Sequence, residues 1–96
     1  MNFSQKEIEE IENLAGLCIG PKDIAIILER DIQDFIEELE DEDSQVYKLM
    51  YKGYLKKLVK YRELIFKGDF DKDQLYEQKL LLNNFKATII KQTYDA

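Results

Sequence analysis

The sequence predicts an all-α fold with two parts: an N-terminal three-helix helix-turn-helix head at residues 1–43, followed by a long antiparallel helical hairpin at residues 44–96. Hydrophobic residues make up 45% of the chain and charged residues 35%, a combination typical of amphipathic helices and unlike disordered chains. One proline and four glycines leave few breaks between long helices. Apolar residues recur at spacings of three and four, and no segment of useful length alternates as a strand does.

The first helix is expected to begin at Ser4, which forms an S-x-x-E capping box with Glu7. Phe3 and Ile8 occupy the positions of a hydrophobic staple across this helix start. The stripe expected to face the core consists of Ile8, Ile11, Leu14, Ala15 and Cys18.

The segment PKDIAIILERDIQDFIEEL at residues 21–39 predicts two short helices around a tight turn. Pro21 is a favoured first helical residue, and Asp31 is a suitable N-cap for the second helix. Ala25 supplies the small side chain needed where two such helices cross. Glu29 stands where this motif commonly carries glycine. The apolar residues expected to pack are Ile24, Ile27, Leu28, Ile32, Phe35, Ile36 and Leu39.

The hairpin is predicted from a helix that is capped by Ser44 and stopped after Lys67 by Gly68. Gly53 in its middle indicates a bend or a close approach of another helix, because glycine there costs roughly 1 kcal/mol relative to alanine. Asp71 begins the second helix. The expected apolar positions are Tyr47, Met50, Tyr51, Tyr54, Leu55, Leu58, Tyr61, Leu64 and Ile65, then Leu75, Leu80, Leu81, Leu82, Phe85, Ile89 and Ile90.

The net charge of −6 hides two parts of opposite sign. Residues 1–43 carry 14 acidic and 3 basic residues, whereas residues 44–96 carry 6 acidic and 11 basic residues. The candidate partner-binding residues of the acidic part are Asp34, Glu37 and Glu38, on the helix that would read DNA in a helix-turn-helix protein. This charge repels a phosphate backbone, so DNA reading by that helix is disfavoured.

The basic part gives the candidate nucleic-acid contacts, which lie on the first helix of the hairpin. Lysines with interleaved tyrosines are able to bind nucleic acid. Two alternatives remain: a solvated face with half-buried tyrosines, or a contact with the acidic helix of a neighbouring subunit. The candidate residues are Lys48, Lys52, Lys56, Lys57, Lys60 and Arg62.

The sequence contains no arrangement of residues that suggests catalysis, a metal site or a cofactor. Histidine is absent, and Cys18 is the only cysteine, which fits a reducing compartment. The longest apolar run has five residues, so neither a membrane span nor a signal peptide is expected. These observations favour a cytoplasmic binding protein over an enzyme.

The order of these parts resembles the small terminase subunits of tailed phages and prophages. The matching stretches are AGLCIGPKDIAIILERDIQDFIEEL at 15–39 and YKGYLKKLVKYRELIFKGDFDKDQLYEQKLLLNNF at 51–85. The resemblance implies a ring-forming, non-enzymatic DNA-packaging accessory that binds double-stranded viral DNA and regulates a large terminase subunit inside the bacterial host cell.

Two other function classes are compatible with the sequence. A protein-protein adaptor would use the acidic helix as its docking face for a basic partner. A small transcriptional regulator would be a two-fold dimer with sequence-specific DNA binding.

Overall fold

The structure, a computed structural model, describes residues 1–68 and 70–89, and these residues form five α-helices and no strand. The helices are α1 (Gln5–Gly16), α2 (Pro21–Ile27), α3 (Ile32–Glu40), α4 (Gln45–Lys67) and α5 (Lys72–Ile89). The predicted all-α class is therefore confirmed. Ile90, the last residue of the predicted stripe, lies outside the described residues.

Most helix ends follow the predicted capping chemistry. The Ser4 hydroxyl accepts a hydrogen bond from the Glu7 backbone N–H at 3.1 Å, and the Glu7 carboxylate accepts one from the Ser4 N–H at 3.0 Å. Asp31 and Ser44 cap α3 and α4 by accepting from the third backbone N–H of each helix. Gly68 ends α4 with a φ of 71°, a left-handed conformation that glycine adopts without steric cost.

The core is a single cluster centred on α4, which contacts α1, α3 and α5, while α2 packs mainly on α3. Residues from both predicted parts, before and after residue 43, contribute to it. Its buried side chains are Ile11, Ala15, Ile24, Ala25, Phe35, Leu39, Val46, Leu49, Met50, Tyr54, Leu82, Phe85 and Ile89.

Gly53 allows α1 and α4 to cross at very short distance. A methyl group built on Gly53 would lie 2.4 Å from the Ala15 Cβ and 2.8 Å from the Gly16 backbone nitrogen. The prediction of a close helix approach is confirmed, and no side chain other than hydrogen fits at this crossing.

Several apolar residues predicted to be buried are exposed. Ile27 faces solvent because α2 has only seven residues and buries one face, through Ile24 and Ala25. In the hairpin the exposed residues are Leu55, Ile65, Leu80 and Leu81. Between Leu55 and Leu81 no described residue is buried, so the distal half of the hairpin has no core of its own.

Cys18 also departs from the expected position. It lies beyond the end of α1 in a left-handed conformation with a φ of 62°, and it is only half-buried. Burial raises the pKa of its thiol, an effect that the nearby Lys57 ammonium partly opposes. The thiol therefore stays protonated near neutral pH.

Glu29 has a φ of 57°, which places a left-handed residue in the turn between α2 and α3. This is the position where the sequence carries glutamate in place of the commonly found glycine. A non-glycine residue in this conformation costs about 1–2 kcal/mol.

Replacing Glu29 with glycine is expected to stabilise the protein by about 0.5–1 kcal/mol, because relief of the strain exceeds the extra entropy of glycine in the unfolded chain. Thermal unfolding of the E29G variant measures this gain. The matched control is E29A, which removes the same side chain but keeps the Cβ. A gain of equal size in E29A would show that the side chain, and not the backbone conformation, is the cause.

Candidate nucleic-acid interface and acidic face

The six basic residues predicted to contact nucleic acid all lie on α4, and two of them already have a partner within the chain. Lys52 lies 3.1 Å from a Glu12 carboxylate oxygen, and Lys56 binds the other oxygen of the same carboxylate. These hydrogen bonds, first from Lys56 and then from Lys52, lower the pKa of Glu12. Because α1 and α4 cross at Gly53, one carboxylate of α1 thus offsets part of the positive charge on α4.

The other four basic residues form no salt bridge within residues 1–68 and 70–89. Lys48, Lys60 and Arg62 are exposed, and Lys57 is half-buried. These four cations are the part of the predicted set with charge available for an external anion.

An open groove of about 750 Å³ runs between the end of α1 and the middle of α4. Lys57 and Lys60 line it together with the Glu12 ion pairs. Leu17, which is 67% exposed, adds an apolar wall with Leu55 and Val59. The groove therefore combines positive charge with uncovered apolar surface.

The tyrosines between these lysines pack inward. Tyr47 and Tyr51 are stacked with their ring centroids 5.8 Å apart, and Tyr51 contacts Tyr54 at the same distance. Tyr54 is buried and packs against Phe85 of α5 at 6.5 Å. These rings belong to the core and its edge, so the lysine face relies on charge without a stacking platform.

The three predicted partner-binding carboxylates come together on α3. Asp34, Glu37 and Glu38 surround a depression of about 430 Å³ that also includes Asp41. The Met1 ammonium lies 2.8 Å from a Glu38 oxygen and neutralises part of this charge.

Arg30 is the only base between Glu29 and Asp43, and its guanidinium is engaged inside the chain. It donates two hydrogen bonds of 2.8 Å to the Glu7 carboxylate and one of 2.7 Å to the Asn2 carbonyl. It also lies over the Phe3 ring, 5.0 Å from the ring centroid. The cation nearest to α3 in the sequence is thus used to fasten α1 to the turn before α3.

The Arg30 guanidinium, followed by the Ser4 backbone N–H, lowers the pKa of Glu7 from 4.5 to about 2. A carboxylate with a depressed pKa in the folded state stabilises the fold above its unfolded pKa, and this contribution disappears as the pH falls through its folded pKa. We therefore expect stability to decline between pH 4.5 and pH 2. The E7Q variant should show a shallower decline in this window, measured by denaturant unfolding at several pH values.

The R30Q variant serves as the partner control for this pH dependence. It removes the other half of the same ion pair and should flatten the same part of the profile. An unchanged profile in E7Q between pH 2 and pH 4.5 would contradict the assignment.

Sequence reasoning did not identify Glu12, Leu17, Val59 and Phe66 as parts of a surface. Glu12 reaches the lysines only because of the helix crossing, which is a long-range contact with no local signal. The spacing of Leu55, Val59 and Phe66 along α4 is a visible signal, but helical periodicity places Leu55 in the buried stripe and includes neither Val59 nor Phe66.

Comparisons with protein families, with curated proteins and with solved structures found no match to this chain. Within residues 1–68 and 70–89, no helix is both long enough and apolar enough to cross a membrane. The same residues contain no cluster of three or more acidic or cysteine side chains arranged to hold a metal ion.

Proposed function

We propose that this chain is a non-enzymatic, self-associating DNA-binding protein of the small terminase kind, which contacts the phosphates of double-stranded DNA through the lysines of α4. The observation that carries the proposal is that four of the six predicted basic residues on α4 have no salt-bridge partner among the described residues. Lysine and arginine supply most of the affinity for a duplex by releasing its counterions.

We also propose that the five helices are arranged as a helix-turn-helix head and an antiparallel hairpin. For the head, support comes from the buried Ala25 on α2 and the left-handed turn residue Glu29 before α3. For the hairpin, support comes from the contact of Tyr54 with Phe85, since these residues lie equally far along the chain from the connection between α4 and α5.

Self-association is supported by the uncovered apolar surface of the distal hairpin. Monomeric proteins rarely expose large contiguous apolar patches. The exposed side chains there are Leu55, Val59, Ile65, Phe66, Phe70, Tyr76, Leu80 and Leu81. In a DNA-packaging role inside a bacterial host cell, the oligomer would bind viral DNA and present the large terminase subunit with a docking surface.

Duplex binding measured by fluorescence anisotropy between about 50 and about 200 mM salt tests the DNA contact. The affinity is expected to fall steeply with salt, and the K57Q and K60Q variants should each reduce the slope of log K against log salt by about 1. The control is K79Q, which removes an exposed lysine of α5 and should leave the slope unchanged.

The E12Q variant provides a test in the opposite direction. It removes the carboxylate that binds Lys52 and Lys56, so DNA affinity should rise above that of the native chain. Absence of duplex binding at the lowest salt, in both the native chain and E12Q, would refute DNA binding through α4.

A second candidate function is a protein-protein adaptor that docks a basic partner on α3. It is favoured by the convergence of Asp34, Glu37 and Glu38 around one depression. Reversing Glu37 and Glu38 to lysine should abolish capture of a lysine-rich peptide without affecting duplex affinity through α4. A small transcriptional regulator would instead be recognised by a sequence-specific footprint on duplex DNA, because a two-fold dimer alone does not separate the two functions.

A further inference from the structure

The second half of α4 carries a seam of exposed residues on the face turned away from the core. Leu55, Val59, Arg62 and Phe66 follow one another at spacings of four, three and four residues. This is the spacing of the inward positions of a coiled coil, which line up along one side of a helix. All four side chains are exposed, and Phe66 is 93% exposed.

We propose that two copies of this chain pair through this α4 seam, antiparallel and about a two-fold axis, with Phe66 of each copy packed on Leu55 of the other. The inference rests on the self-association proposed above and specifies its surface and symmetry. A two-fold contact is self-complementary and is complete with two copies.

The antiparallel register follows from the seam residues themselves. Leu55 and Arg62 occupy one of the two inward positions of a coiled-coil repeat, and Val59 and Phe66 occupy the other. In an antiparallel coiled coil each layer pairs one inward position with the other, so Leu55 faces Phe66 of the second copy. Val59 then faces Arg62 of the second copy. The aliphatic stem of Arg62 covers Val59, while its guanidinium remains at the edge. Phe66, which is 93% exposed, then gains the apolar surface that Leu55 leaves uncovered.

Charges beside the seam agree with the same register. Lys56 and Glu63 flank the seam on one side, seven residues apart, and in the antiparallel arrangement Lys56 of each copy lies near Glu63 of the other. Glu63 forms no salt bridge within residues 1–68 and 70–89. Lys52 remains on Glu12, so that carboxylate keeps a partner when Lys56 is shared.

The composition of the face favours a second copy over a DNA duplex at this surface. Phosphates are bound by cations and hydrogen-bond donors, and the side chains of Leu55, Val59 and Phe66 provide neither. A two-fold pair instead buries these side chains and leaves Lys57 and Lys60, which lie on the flank toward α1, free for DNA.

Light scattering coupled to size exclusion, over a wide concentration range without DNA, tests the inference. The native chain is expected to reach twice the monomer mass. The F66E variant should raise the dimer dissociation constant roughly thirtyfold or more, the effect typical of losing a buried aromatic anchor. Because Phe66 is almost fully exposed, its replacement leaves the folded monomer intact, which circular dichroism checks.

The matched control is Y76E, which replaces another exposed aromatic residue of the hairpin outside the seam and should leave the dissociation constant unchanged. Disulfide formation tests the direction of pairing, in a C18S background. Mixing the V59C and R62C variants should give a cross-link between them faster than either variant cross-links with itself.

Several results would overturn the pairing. A monomer at all concentrations would overturn both the pairing and the proposed self-association, and a ring mass unaffected by F66E would overturn the two-fold seam alone. Faster self-cross-linking of V59C would indicate parallel helices and also overturn it. Loss of duplex binding with an intact dimer would instead refute the DNA-binding proposal and leave the pairing in place.

Discussion

Replacing Gly53 with alanine is expected to destabilise the protein by about 3 kcal/mol, near the upper end for overpacked sites. The new methyl group would lie 2.4 Å from the Ala15 Cβ, 2.8 Å from the Gly16 nitrogen and 2.9 Å from the Ala15 carbonyl carbon. Two of these three neighbours are backbone atoms, so α1 and α4 must move apart. This penalty exceeds the gain of about 1 kcal/mol that alanine brings to an exposed helix position.

Thermal unfolding measures the effect, which corresponds to a fall in Tm of roughly 12–24 °C for a domain of this size. The G16A variant is a control at the same crossing, because its methyl group would be 3.8 Å from the Gly53 carbonyl oxygen, an ordinary contact. It should be close to neutral. Similar Tm values for G53A and the native chain would show that the two helices do not cross at this distance.

Replacing Phe35 with alanine is expected to cost about 3–5 kcal/mol, the range for a large aromatic residue removed from a packed core. Phe35 is completely buried and makes an edge-on contact with Phe3, with ring centroids 6.2 Å apart. The loss is a large share of the roughly 5–15 kcal/mol that stabilises a typical domain. Denaturant unfolding should show a lower midpoint, with a partly unfolded population at physiological temperature.

The F66A variant removes the same side chain from a position that is almost fully exposed, and so separates core packing from residue type. Measured on dilute monomer, its free energy of unfolding should match that of the native chain. If F35A were as stable as F66A, α3 would not be packed as described.

The local features of this fold could be predicted from the sequence because they depend on neighbouring residues. Ser4 with Glu7, Asp31, Ser44 and Gly68 act at helix ends within one turn, where side-chain and backbone chemistry decide the outcome. Gly53 could also be singled out from the sequence, since glycine in the middle of a long helix indicates either a bend or a close approach of another helix. The residue that Gly53 contacts could not be predicted, because Ala15 is distant from it in the sequence.

The exposed face of the hairpin shows the limit of periodicity. An apolar stripe on a helix predicts that the stripe is buried. It does not predict whether the residues that bury it belong to the same chain or to another molecule. Periodicity predicts that Leu55 and Ile65 are buried, whereas the structure buries Val46 and Leu49 near the start of α4 and exposes Leu55 and Ile65. The candidate lysines were identified by charge alone, and the pairing of two of them with Glu12 depends on a tertiary contact.

The lack of buried side chains between Leu55 and Leu81 makes cooperativity uneven along α4. Amides around Val46 to Tyr54 should exchange hydrogen only through global unfolding, whereas those beyond Leu55 can exchange through partial opening of the distal hairpin. Any partner that covers this surface adds the missing contacts and slows that exchange. Binding and ordering of the distal hairpin are therefore thermodynamically linked, and hydrogen exchange of the amides beyond Leu55 reports whether this surface is occupied.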